Sequence, residues 1–258
     1  MKGVDAVMWL KRPRRVAMTL LPVVVFFVLN LFGGYMCAYI LDDSITGTIM
    51  GDIILIISGG FWYYYMRISF RKIRDINRKQ GIFFLLVLLF VWYSSQMGAM
   101  FVGAIFPNTL DAFHEGIQVN ITAYMILTIF VAPVAEELMF RGVFYTQMRK
   151  LFGPAGACFA STLIFAMMHS TPSQIYLAFV CGILFCAMYE LTGSMMYSVV
   201  MHMVYNLLCV FIGTVVPKSF WFFVLMQLCM VGAVVYLFCS VVKKQRRETM
   251  LENVCMRG

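Results

Sequence analysis

The chain has 258 residues, 62% of them hydrophobic and 12% charged, whereas an ordinary soluble domain runs near about 45–50% apolar and about 25% charged. So few polar residues cannot cover so much apolar surface, which excludes a water-soluble globule and makes lipid the solvent. The net charge of +8 gathers in clusters that flank apolar runs, the arrangement of juxtamembrane fringes facing anionic lipid and not that of a nucleic-acid interface.

A bilayer core of about 30 Å needs about 20 apolar residues of helix to cross it, and eight stretches read as spans. The first, 16–41, follows Lys2, Lys11, Arg12, Arg14 and Arg15. It is too long for a secretory signal and lacks a small-residue cleavage site, so it reads as a retained span. The second covers 45–66, and after a basic loop from Arg67 to Gln80 comes the third, 82–106. Asp111, His114 and Glu115 then form a segment read as a solvated loop. The fourth span covers 117–134 and continues to 148; the others are 155–168, 175–189, 195–216 and 220–242. The fifth and sixth are short, which suits helices enclosed by neighbours or facing a cavity.

Lys and Arg collect in cytoplasmic loops. With the N-terminus inside, 18 of the 20 basic residues fall on the inner side, leaving Lys218 outside and Arg141 within a span. The expected fold is therefore an all-α, polytopic membrane bundle of about eight transmembrane helices with both termini cytoplasmic. No linker or repeat divides it: residues 1–116 supply three N-terminal helices, 117–216 a helical core, and 217–258 a last helix with a basic tail, all in one membrane domain. The eight cysteines sit mostly within spans without a CxxC pair, and read as buried, inert thiols.

Ionisable groups inside spans normally face a bundle interior or a wet cavity. Glu136, Glu137 and Arg141 lie just after Pro133 on the fourth span. Glu137 and Arg141 are four apart and can pair along one helix face, while Glu136, turned by roughly 100°, stays free to point elsewhere. Pro133 removes a backbone donor and favours a kink there. Phe165 and His169 share a face of the fifth span, and His202 and Asn206 share one of the seventh. At 1.5 Å per residue, Glu136 lies ~20 Å from the inner edge at Arg149, His169 ~25 Å from Phe152, and His202 ~17 Å from Leu191. Taken singly, such groups read as a structural ion pair and interhelical hydrogen bonds. Together at similar depth, a carboxylate, two imidazoles and an amide point to hydrolysis, with Glu or His deprotonating water and His or Asn stabilising an oxyanion. An open zinc site formed by Glu136 or Glu137 with His169 and His202 is a second option; HExxH is absent.

These residues resemble the CPBP family of CAAX proteases and bacteriocin-processing enzymes, also called the Abi family. EExxxR appears as Glu136 to Arg141, FxxxH as Phe165 to His169, and HxxxN as His202 to Asn206. Each motif is weak alone, but their order and spacing over about residues 117–216 are specific. The resemblance implies an intramembrane endopeptidase whose cavity opens toward the cytoplasm. Carried over by motif, Glu136 and His169 activate water, His202 and Asn206 form the oxyanion hole, and Glu137 and Arg141 orient the first motif, with Phe165 in a structural role. Glutamate-dependent chemistry without a cofactor is preferred to the zinc alternative, because the Asn206 amide is a poor zinc ligand and a good oxyanion donor. The expected substrate is a short membrane-associated or lipidated peptide, such as a CAAX-type tail, a leader or a pheromone, and the expected setting is a bacterial cytoplasmic membrane. The alternative is a non-proteolytic membrane regulator or bacteriocin-immunity scaffold on the same helices.

Overall fold

The structure, a computed structural model, describes residues 44–65, 76–106, 121–169, 171–212 and 219–255, with isolated helical positions at 17, 21, 24, 25 and 28. Most of the first expected span, most of the basic loop after residue 66, and Asp111, His114 and Glu115 lie outside the described residues.

All regular structure among these residues is helical. Helix α1 is Ser44–Tyr65 and α2 is Arg78–Ile105. A nearly unbroken run follows: α3 (Ile121–Ile126), a first π-helical segment (Leu127–Val131), α4 (Ala132–Glu137), a second π-helical segment (Leu138–Tyr145) and α5 (Thr146–Met167). Then come α6 (Pro172–Thr192), α7 (Met195–Ile212) and α8 (Phe220–Cys255).

Local sequence explains the boundaries. Asn77 caps α2 in a reciprocal box with Gln80, satisfying two backbone donors that the first turn leaves free. Thr171 caps α6 ahead of Pro172, whose missing N–H is harmless in the first turn. Gly193 ends α6 at φ 75°, and its N–H reaches the Tyr189 carbonyl at 2.8 Å. Gly153, at φ 71° before Pro154, bends α5 near its start.

Four helices among the described residues are long and apolar enough to cross a membrane: Gln80–Ile105, Pro172–Thr192, Met195–Ile212 and Phe220–Lys243. They account for the third, sixth, seventh and eighth expected spans. The short fifth expected span, 155–168, begins just after the Gly153 bend, whereas the fourth is not a simple span, because two π segments interrupt the run from Ile121 to Tyr145. The outer faces are apolar, with Ile57, Leu86, Trp221 and Leu228 exposed. Patches of that size on a water-soluble monomer would be an association surface; here they are the lipid-facing side of an integral membrane protein.

Helix α6 lies at the centre, packed against α2, α5, α7 and α8, while α1 packs on α4 and the second π segment. Polar ties join the layers: Ser173 donates to the Ala99 carbonyl, Gln227 donates to the Ser94 carbonyl at 2.8 Å, and Tyr176 donates to Gln227 at 3.1 Å. Gly98 makes the α2–α6 approach possible, because a Cβ there would fall on the Tyr176 ring. Gly98→Ala is therefore expected to push Tyr176 off Gln227 and destabilise the fold by about 1–3 kcal/mol, read as a lowered thermal-unfolding midpoint in detergent.

Candidate active site

The site is built outward from Glu137, which is fully buried. Its carboxylate meets Arg141 Nη1 at 2.9 Å one helical turn away, and it accepts a hydrogen bond from Ser198 Oγ. His202 Nδ1 lies 3.1 Å from Glu137 Oε1. A buried charge persists only when paired and hydrogen-bonded, and three partners on two helical stretches meet that condition here.

Arg141 is equally buried. Its Nη2 donates to the Gly182 carbonyl at 3.0 Å, and its guanidinium lies 4.8 Å from the Phe165 ring centroid and 5.7 Å from that of Phe185. Stacking on ring faces suits this weakly hydrated, planar cation. A Cβ at residue 182 would stand 3.0 Å from Thr162 and 3.3 Å from Arg141 Nη2, so glycine provides the space. Ser161 adds a tie from α5 to the Phe140 carbonyl at 2.8 Å.

His202 stands between the two glutamates. While Nδ1 faces Glu137, Nε2 lies 3.6 Å from Glu136 Oε2. Its ring stacks on Phe185 at 4.5 Å between centroids, which holds its plane. Glu136 keeps 22% of its side chain exposed against 0% for Glu137, so it is the carboxylate open to a reactant.

His169 packs edge-on to Phe165 with centroids 5.1 Å apart, within electrostatic reach of His202. Its Nδ1 lies 3.1 Å from the Phe165 carbonyl. A carbonyl only accepts, so that nitrogen carries the hydrogen and Nε2 is left as an acceptor. The shared face of Phe165 and His169 thus also selects the tautomer.

Asn206 points elsewhere. Its Nδ2 donates to the Thr128 carbonyl at 2.8 Å. In the first π segment the Ala132 N–H reaches the Leu127 carbonyl; the next donor in that register would be Pro133, which has none. Asn206 supplies the missing hydrogen bond, so one N–H of its amide holds the backbone just before Glu136.

His202 thus meets both Glu136 and Glu137, Glu137 also meets Arg141, His169 adjoins them through Phe165, and Asn206 reaches the first π segment. Ser198, Gly182 and Phe185 were not foreseen from sequence; Ser198 alone had a signal, four residues before His202 on the same face. Asp52, buried on α1 and in electrostatic contact with Glu136, was also overlooked. An acid within the second apolar stretch was the available clue. Glu190, at the end of α6, is committed to Arg149 at 3.1 and 3.2 Å and accepts from Tyr145. No set of three or more His, Cys, Asp or Glu side chains is gathered to hold a metal among the described residues.

An apolar helical bundle enclosing a charge-balanced Glu–His–Arg cluster defines an integral membrane protein with a polar centre inside it. Residues 118–208 match the family model described as type II CAAX prenyl endopeptidase Rce1-like, a model within the CPBP family, so this part of the chain is similar to that protease domain. That interval contains all three motifs, whereas α1, α2 and α8 lie outside it. No curated protein and no solved structure matches the chain.

Arg141→Ala leaves Glu137 buried without its main countercharge, which is expected to destabilise the fold by about 3–5 kcal/mol. The yield of monodisperse protein from detergent extraction should collapse, and the double variant Glu137→Gln/Arg141→Met should recover part of it. Normal yield of Arg141→Ala would contradict the pairing.

Proposed function

We propose that the protein is an intramembrane endopeptidase that hydrolyses short membrane-associated or lipidated peptides with a glutamate-activated water and no metal. The observation that carries this reading is His202 held at Nδ1 by the buried Glu137 and presenting Nε2 to the more open Glu136.

Glu136 takes a proton from water as the water oxygen attacks the scissile carbonyl carbon. His202, protonated at both nitrogens and held by Glu137, donates from Nε2 to the developing oxyanion. The Asn206 amide has a second N–H besides the one given to Thr128, and that hydrogen completes the oxyanion hole. His169 accepts from the water through Nε2 and fixes its direction. As the tetrahedral intermediate collapses, the C–N bond breaks and the proton passes from Glu136 to the departing nitrogen. Glu137, Arg141 and Ser198 keep the imidazole oriented and touch no reacting atom.

The family match supports peptide-bond hydrolysis. Arg149 and Lys150 beyond the second π segment mark the inner edge by the charge rule; in this reading, which follows the family resemblance, the site is reached by peptides from the cytoplasmic side or laterally from lipid. Anionic lipid gathers at the basic loops, and the setting is a bacterial cytoplasmic membrane.

The test compares, by mass spectrometry, the peptides released from membranes holding matched amounts of wild type and Glu136→Gln, with and without a chelator. Glu136→Gln should abolish cleavage at unchanged folded yield, a loss of at least about 100-fold, and the chelator should have no effect. Peptide profiles identical for both folded proteins would favour a non-proteolytic membrane regulator, and chelator sensitivity would overturn the metal-free chemistry.

A further inference from the structure

The buried face of α1 carries Asp52, Leu55, Gly59 and Trp62, spaced as one helical stripe. A Cβ at Gly59 would meet Leu138 at 3.1 Å, and one at Gly142 would meet Tyr63 at 3.4 Å. Residues 59 and 63 thus lie opposite 138 and 142, so α1 runs parallel to α4 and the second π segment. In that register Asp52 falls opposite Val131 and Ala132, about one helical turn before Glu136.

Asp52 is 6% exposed, and its Oδ2 is buried with no hydrogen-bond partner among the described residues. The rest of its stripe is apolar. A carboxyl group inside a bilayer is retained at a free-energy penalty, and a purely structural one would be expected to have a protein donor. Among the charged and titratable groups on the packed segments, Glu137 is paired with Arg141 and His202, whereas Glu136 faces His202 Nε2 at 3.6 Å and is in electrostatic contact with Asp52.

We propose that Asp52 belongs to this site as a positioning residue, its free carboxyl oxygen holding by hydrogen bond the water from which Glu136 takes a proton. The inference rests on the protease reading above. A buried water needs two to four polar partners, and Asp52 from α1 and Glu136 from α4 supply two of them. The water's proton goes to Glu136, its oxygen forms the new C–O bond, and the proton leaves with the nitrogen. Asp52 neither gains nor loses a proton.

The test measures kcat and KM for Asp52→Leu and Asp52→Asn beside wild type and Glu136→Gln, using a peptide found in the membrane comparison, together with a structure at a resolution that places waters. Asp52→Leu removes an unpaired buried carboxyl, so folded yield and unfolding temperature should equal or exceed those of wild type. Its kcat should fall about 100-fold with KM within about twofold. Asp52→Asn keeps a group that can hold water and should recover to within about tenfold of wild type. The structure should show one water bonded to both Asp52 and Glu136. Asp52→Leu within about twofold of wild-type kcat, or an Asp52 bonded instead to a protein group, overturns the proposal. Should wild type cleave nothing, the protease reading fails, and the water's position alone still decides the role of Asp52.

Discussion

Glu137 and Arg141 form an ion pair with no exposure to solvent, inside a bundle whose outside is hydrocarbon. Neither charge is tolerable there alone, and the pair also needs hydrogen bonds from its surroundings, which most of its polar atoms find, Arg141 Nε being without one among the described residues. That requirement gathers the rest of the site. Ser198 and His202 bring α7 to Glu137, the Gly182 carbonyl brings α6 to Arg141, and Phe165 from α5 lies under the guanidinium. The neighbour of Glu137 in the chain is then turned away by one residue's rotation and left partly open. The pairing of Glu137 thus also decides which glutamate stays open.

The backbone around this pair departs from regular α-helix on both sides. Two π-helical segments enclose the short α4 that bears Pro133, Glu136 and Glu137. Such segments shift the hydrogen-bond register by one residue and recur at functional sites. Here the first of them leaves a carbonyl without a donor, and Asn206 supplies one from α7. The kinked strip carrying the glutamates is therefore fastened to α7 at two levels, through His202 and through Asn206. Helix α7 cannot shift relative to the glutamates without breaking both ties.

A second polar knot stands at the end of α6, where the buried Glu190 takes two hydrogen bonds from Arg149 and one from Tyr145. It joins the beginning of α5 to the end of α6 beside the Gly153 bend. Arg149 is about one-third exposed and Glu190 almost wholly covered, so the arginine bridges from the rim to the interior.

Composition alone determined that the chain lives in lipid, because hydrophobic fraction and charge set which solvent can cover its surface. Most helix positions were also legible, since length and apolarity are local properties: α1, α2, α6, α7 and the first part of α8 fall close to the expected stretches. The pairing of Glu137 with Arg141 followed from a four-residue spacing on one helix, and the three motifs from their order along the chain. What only the tertiary structure decided were relations across helices. The capture of His202 between two glutamates, the seat of the guanidinium on Phe165 and Phe185, the diversion of Asn206 to Thr128 and the approach of Asp52 to Glu136 depend on crossing geometry and register. Those are set by packing among residues far apart in sequence, which no local spacing records.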